Sequence, residues 1–230
     1  KFQEIDKLKS EFIGKVSHEL KTPLTSMGMA LGIMEDGIVG KLTKEQENIV
    51  SAIKEDYNRL HKLVHEILEL TKLESTGLTL HVTKIDTKDL FENLIKNFYF
   101  QSEEKKLNIK YSIEKETETI NADYDYLLRA LENIVANSIK FTPFAGNIFI
   151  NAYSDNYFNY IKIEDNGIGI QPEYLNKIFD KFTQLVDNIP GSVGLGLSIT
   201  KEIIDLHKGE INVESVPNKY CTFTIKLNRY

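Results

Sequence analysis

Apolar residues in the first third of the chain recur every three or four positions, at Ile5, Leu8, Phe12, Val16, Leu20, Leu24, Met27, Leu31 and Met34. That spacing lines one side of an α-helix and predicts a buried stripe. The stretch Gly37-Ile38-Val39-Gly40 interrupts it. Thr43 then stands three residues ahead of Gln46, the spacing of a capping box, so a second helix is expected to begin there. Ile49, Ile53, Tyr57, Leu60, Val64, Ile67 and Leu70 continue the stripe along it. The two helices predict an antiparallel hairpin. One hairpin cannot cover its stripes on both sides, so a second copy is expected to complete a dimeric four-helix bundle. A lone hairpin packed on the rest of the chain is the other arrangement.

The pattern changes at Ser75-Thr76-Gly77, which divides the chain into a helical domain, residues 1–75, and a mixed domain, residues 76–230. Alternation from Leu78 to Ile85 predicts a strand, Asp86 to about Lys106 an N-capped helix, and Leu107 to about Ile120 two short strands. A strong amphipathic helix is expected from Asp123 to Phe141, stopped by Thr142-Pro143. Strands at about Asn147–Tyr153 and Tyr157–Glu164, a short helix at Pro172–Asp180 and a helix at Leu195–His207 follow. A terminal hairpin, Glu210–Ser215 and Tyr220–Leu227, closes on Val216-Pro217-Asn218-Lys219. The expected fold is thus α plus α/β: a helical hairpin followed by an α/β sandwich.

Composition narrows the function. The chain has 230 residues, with Lys+Arg 28 against Asp+Glu 34, so the formal charge is 28 − 34 = −6. An acidic balance argues against nucleic acid as a partner, because neutralising phosphates needs clustered Lys and Arg. The single cysteine, Cys221, excludes an intrachain disulfide and suits a reducing compartment. No run of apolar residues is long enough to span a membrane, and the N-terminus has neither Met nor a signal core. The expectation is a cytoplasmic piece of a longer protein, with any inner-membrane anchor carried by a segment ahead of Lys1.

Four constellations offer chemistry. His18 lies in Ser17-His18-Glu19-Leu20-Lys21-Thr22-Pro23, with Val16 and Leu20 on the stripe, so the imidazole is expected to face away from the seam. With Glu19 beside it to hold one ring nitrogen protonated, the other is a usable nucleophile; a solvated helix face is the alternative. Pro23 removes an amide from the helix ladder one turn later. Asn133, Asn137 and Lys140 share one face of their helix, opposite Leu127, Leu131, Ile134 and Val135. Two amide oxygens and a cation there suit Mg²⁺ and phosphates, although both amides could instead satisfy backbone groups. Glu164-Asp165-Asn166-Gly167-Ile168-Gly169-Ile170 ends a strand where glycines allow close approach and a carboxylate can accept from an exocyclic amine. Gly191-Ser192-Val193-Gly194-Leu195-Gly196-Leu197 runs into a helix whose free amides suit an anion, yet it is neither a Walker A loop nor a Rossmann fingerprint.

In this order and spacing the chain resembles a sensor histidine kinase of the two-component type, over almost its whole length. Ser17 to Leu24 is similar to that family's H box, Leu131 to Thr142 to its N box and Asp165 to Ile170 to its G1 box. Ile178-Phe179-Asp180-Lys181-Phe182-Thr183-Gln184 resembles the F box, and Gly194-Leu195-Gly196-Leu197 the G2 box. The resemblance implies a dimerisation and phosphotransfer hairpin followed by a Bergerat-type (GHKL) ATPase domain. His18 would take the γ-phosphoryl group of ATP with Glu19 as base or orienting partner, and pass it to an aspartate on the receiver domain of a response regulator. Thr22 falls where the family positions water for dephosphorylating that partner. By the same resemblance Asn137 binds Mg²⁺, Asn133 and Lys140 touch the phosphates, Phe141 lies against the base or sugar, and Asp165 accepts from the adenine amine. Gly167, Gly169 and Ile170 complete that wall, while Phe182, Gly194, Leu195 and Gly196 join the nucleotide site. Lys181 to Val193 would form a mobile lid with Lys181 reaching the γ-phosphate, and Leu73–Leu78 the hinge.

Three departures qualify the match. Ser192 replaces a customary glycine, Lys181 stands where arginine is common and loses its fork geometry, and His207-Lys208-Gly209 varies a frequent His-Gly-Gly. A core or capping role is expected for His207, and surface or bundle positions for His61, His65 and His81. Ser192 motivates the competing reading, a non-catalytic dimeric scaffold that binds nucleotide weakly. Another Bergerat ATPase is disfavoured by the His18 hairpin ahead of the nucleotide domain.

Overall fold

The computed structural model describes residues 2–74, 78–184 and 193–229, and in the first helix the side chains of Lys15, Val16 and those from Glu19 onward. The side chains of Ile5, Leu8, Phe12 and His18, the joint at 75–77, and positions 185–192 with Ser192 lie outside the described residues. Two compact units emerge. One holds the helices before residue 79 together with residues 193–195; the other holds residues 79–184 and 196–229.

The first unit is the hairpin of α1 (Phe2–Glu35) and α2 (Lys44–Leu73). Pro23 lies inside α1, and the turn is made by Gly37 and Gly40 at φ 67 and 113, values that disfavour any side chain. The capping box is formed: Gln46 N donates to Thr43 Oγ1 at 3.3 Å, and Thr43 N to Gln46 Oε1 at 2.9 Å. Lys54 pairs with Glu35 across the hairpin. Tyr57 of α2 lies so close to Gly28 of α1 that a Cβ there would sit 2.5 Å from its hydroxyl, so the glycine admits the ring. The stripe is only partly covered. Leu24, Leu31 and Leu70 are buried, and so is Val50, which the spacing did not mark, whereas Leu20, Met27, Met34, Ile49, Ile53, Leu60 and Ile67 are exposed. Among the described residues no helix is long and apolar enough to cross a membrane.

The second unit runs β1 (Thr83–Asp86), α3 (Thr87–Asn97), α4 (Tyr99–Glu104), β2 (Asn108–Ile113), β3 (Thr119–Ala122), α5 (Tyr124–Phe141), β4 (Asn147–Ser154), β5 (Phe158–Asp165), α6 (Gly196–Leu206), β6 (Glu210–Val216) and β7 (Tyr220–Asn228). Its main sheet has the order β2-β4-β5-β7-β6, with β2 parallel to β4 and every other pair antiparallel. The β1 and β3 strands form a separate antiparallel pair. Alternate residues of the main sheet, among them Ile148, Ile150, Ile161, Ile163, Phe223 and Ile225, are buried. So are Phe91 and Leu94 on α3, Leu127, Leu131, Ile134 and Val135 on α5, and Ile199, Ile203 and Ile204 on α6. These apolar faces build one helix layer on one sheet face.

Three expected elements differ. The first strand starts at Thr83 rather than Leu78, because its partner β3 ends at Ala122, just before the cap of α5. His81 N donates instead to the Asp123 carboxylate at 2.8 Å. The helix expected over 86–106 is two helices, broken at Phe98, whose amide turns back three residues to Ile95 O at 3.1 Å. The segment Pro172–Asp180 makes only one 3₁₀ turn, Pro172–Tyr174, followed by turns bonded mostly three residues back. Its single buried residue is Ile178, too small an anchor to hold a regular helix. His207 takes the capping role: Asp123 N donates to Nε2 at 3.0 Å and Nδ1 faces Ile203 O at 2.8 Å, which places the proton on Nδ1. The imidazole thus ties the start of α5 to the end of α6.

Phe91 is fully buried and meets Tyr111 edge-on at 5.9 Å. Phe91→Ala should lower the stability of the second unit by about 3 kcal/mol through the cavity it leaves. Denaturation followed by tyrosine fluorescence checks this, since ten of the 11 tyrosines lie beyond residue 78 and the chain has no tryptophan.

Candidate functional site

The helix α5 buries Leu127, Leu131, Ile134 and Val135 without residue, so its opposite side is turned outward by geometry alone. Asn133, Asn137 and Lys140 are half-buried on that side. Asn133 Nδ2 donates to Gly196 O at 3.0 Å, which joins the outward face of α5 to the first turn of α6 and leaves the amide oxygen as an acceptor. Two turns further along, the Lys140 ammonium sits 5.0 Å from the centre of the Phe141 ring.

A carboxylate closes one side of this region. Asp165, at the end of β5, is only 4% exposed. Its Oδ2 accepts from Ser138 Oγ at 2.8 Å and its Oδ1 from Gly167 N at 3.0 Å. Burial raises the carboxyl above the ordinary value of 3.8; the hydrogen bonds from Ser138 and Gly167 oppose the rise, and nearby Glu164 adds to it. A carboxylate so placed keeps lone pairs for a further donor and gains from receiving one. Gly167 is needed there: a Cβ would lie 2.7 Å from both Asp165 Oδ1 and Phe141 O. Ile168 N donates to Phe141 O at 3.3 Å, so the loop after β5 is fastened to the end of α5. Gly169, at φ 65, passes against Val216 O where a Cβ cannot fit, and Ile170 N donates to Ser215 Oγ at 2.9 Å.

The remaining marked residues spread wider. Lys181 and Phe182 are exposed on the turns after Ile178, with Phe182 at φ 62. Gly194, at φ 81, and the buried Leu195 group with the first unit, while Gly196 opens α6. In the first unit Glu19 and Thr22 are exposed on α1; the His18 side chain lies outside the described residues. The contacts therefore gather Asn133, Phe141, Asp165, Gly167 and Gly196, with Asn137 and Lys140 on the same helix face.

Two residues escaped the sequence reading. Ser138 follows Asn137 on the buried side of α5, and its partner Asp165 lies 27 residues away. Ser215 links β6 to the glycine loop and accepts nothing that local spacing would reveal; its hydroxyl donates to Tyr220 O at 2.7 Å. Cys221 pairs with Asp165 in register, and burial pushes its thiol up to about 12, so it stays protonated. Among the described residues no group of His, Cys, Asp and Glu could hold a metal by itself, so a cation here would need an amide oxygen and ligand oxygens. The donor set fits that use: Asn137 is half-buried on the polar face beside Lys140.

Comparison with known proteins gives this geometry a context. A family model for the "His Kinase A (phospho-acceptor) domain" matches residues 8–76, and one for the "Histidine kinase-, DNA gyrase B-, and HSP90-like ATPase" matches residues 122–230. Sensor histidine kinase YclK of Bacillus subtilis (strain 168) is 32% identical over 230 residues, covering 98% of this chain and 48% of that protein. Sensor protein kinase WalK of Staphylococcus aureus is 32% identical over 234 residues, covering 98% of this chain and 55% of that protein. The chain spans about half the length of these relatives. Among solved structures, full-length ShkA in complex with AMPPNP superposes with a TM-score of 0.82 at 26% identity, over 94% of this chain and 45% of that one. The Acinetobacter baumannii histidine kinase AdeS gives 0.66 at 26%, over 92% of this chain and 98% of that one.

The raised Asp165 carboxyl has a consequence for stability. The folded unit holds this proton to higher pH than the unfolded chain does, so stability present below pH 3.8 is lost as pH rises through the folded value. Asp165→Asn should remove that loss and leave the ligand-free protein at neutral pH as stable as wild type or more so. Thermal melts of both proteins between pH 3.5 and 7.5 check it: the variant should gain on wild type as pH rises, and a difference between the two that stays constant across the range contradicts it.

Proposed function

We propose, because this chain belongs to the two-component sensor histidine kinase family, that it autophosphorylates on His18 from ATP and passes the phosphoryl group to an aspartate of a response regulator. The observation that carries the reading is the buried Asp165 carboxylate, held by Ser138 and Gly167 beside the Asn133, Asn137 and Lys140 face of α5, in one chain with the His18 helix. Its setting is the cytoplasm.

The residues divide the work. Asp165 accepts from the adenine amine, with the close backbone at Gly167, Gly169 and Ile170 beside the base, and Phe141 against base or sugar. Asn133 and Lys140 contact the phosphates, and Asn137 offers its amide oxygen to Mg²⁺. That ion supplies neutralising charge to the phosphates. Gly194, Leu195 and Gly196 lead into the start of α6, where free amides suit an anion. Lys181 and Phe182 belong to the segment that covers the nucleotide, and Lys181 reaches for the γ-phosphate. Glu19 holds the proton on one ring nitrogen of His18. The other nitrogen attacks the γ-phosphorus, the bond to the bridging oxygen breaks, and ADP leaves. Phosphoryl transfer asks for placement and charge rather than covalent help, which this inventory supplies. Thr22, exposed one turn from His18, places water for dephosphorylating the receiver.

The exposed apolar face of the hairpin, from Leu20 and Met27 on α1 to Ile53 and Leu60 on α2, supports a homodimer built as a four-helix bundle, for which residues 1–75 are the dimerisation and phosphotransfer domain and 76–230 the ATP-binding domain.

Incubation with Mg²⁺ and γ-labelled ATP should give label that survives alkali and is lost in acid, and His18→Gln should abolish it. Absence of label in a folded protein that binds nucleotide overturns the kinase reading in favour of a scaffold. Asp165→Asn should weaken nucleotide binding about tenfold or more, as loss of a hydrogen bond to a charged group does. Calorimetry reads it. Sedimentation should give twice the 26.4 kDa of one chain, and Ile53→Asp should shift the mass towards one chain.

A further inference from the structure

We infer that Lys105 is a positioning residue for the nucleotide site: from the end of α4 it closes the last turn of α5 and so fixes Asn137, Lys140 and Phe141. The inference rests on the function proposed above. The last carbonyls of a helix have no partner within it, and the end of α5 is the end that carries these residues. There Thr142 N returns to Ser138 O at 2.9 Å. Lys105 Nζ then donates to Ile139 O at 2.8 Å, Lys140 O at 2.9 Å and Thr142 O at 3.2 Å. The remaining carbonyl, Phe141 O, receives Ile168 N from the loop after Asp165.

One ammonium has three protons, and all three find carbonyls at a single helix end. Its charge also opposes the negative end of the helix dipole. The tie is held from both sides, because Lys105 O accepts from Ala145 N at 2.9 Å and its amide closes α4 onto Gln101 O. Without Lys105 the last turn of α5 has three unsatisfied carbonyls, and the turn that fastens the Gly167 loop through Phe141 loosens with it. The body of α5 stays in place through Leu127, Leu131 and Ile134, which are fully buried. The expected defect is therefore in the placement of the ligand-facing residues, not in the fold.

The test compares wild type, Lys105→Met, Lys105→Arg and, as a destabilised control away from the site, Phe91→Leu, each as the full chain. Calorimetry with AMPPNP and Mg²⁺ gives affinity, and thermal melting gives stability. Lys105→Met should weaken binding about tenfold, Lys105→Arg should recover most of that by returning charged donors, and Phe91→Leu should melt lower while binding as wild type does. Equal affinity in wild type and Lys105→Met overturns this role alone. So does a loss that Phe91→Leu matches at the same drop in melting temperature. Failure of wild type to bind nucleotide overturns the proposed function, and the role of Lys105 with it.

Discussion

The second unit depends on the burial of α5. Four of its residues, Leu127, Leu131, Ile134 and Val135, are packed without exposure between the sheet and its helical neighbours, and each such side chain stabilises the fold by about 2 kcal/mol. Because a helix repeats every 3.6 residues, fixing that stripe also fixes what lies opposite. Asn133, Asn137 and Lys140 face outward because the core has taken the other side. Both ends of α5 are then fastened: Asp123 and His207 at its start, Phe141 and Ile168 at its finish.

The Asp165 carboxylate works against this stability. It is buried at the edge of the core with a hydroxyl and an amide as donors, and burial still raises it above the ordinary value. A group that costs stability when the site is empty, and that has acceptor capacity to spare, gains most when a donor arrives. The same reasoning explains the crowded backbone around it. Gly167 and Gly169 each pass another strand or helix end at distances no side chain permits.

The hairpin makes a different compromise. Its two helices cover Leu24, Leu31, Val50 and Leu70 but leave Leu20, Met27, Ile53 and Leu60 in contact with water. The cost of that exposure is recoverable by association, since a face of matching apolar residues on a second copy buries both at once. Gly28 adds specificity within one hairpin by admitting Tyr57, which a larger residue would displace.

Much of this was legible in the order of residues, because the signals are local. The helix spacing from Val16 to Met34, the Thr43 and Gln46 cap, the α5 stripe, the terminal hairpin and the polar trio on α5 each rest on neighbours within a few positions. Where the expectation differed, the reason lay elsewhere in the chain: β1 is short because β3 stops at Ala122, and the turns after Pro172 lack a second buried anchor. The long-range partners were invisible for the same reason. Ser138 meets Asp165 across 27 positions, His207 meets Asp123 across 84, and Lys105 meets Thr142 O across 37. Local periodicity thus determined the elements and their faces, while only packing decided which distant polar groups would be buried together, because a hydrogen-bond partner is set by proximity in space and leaves no period in the sequence.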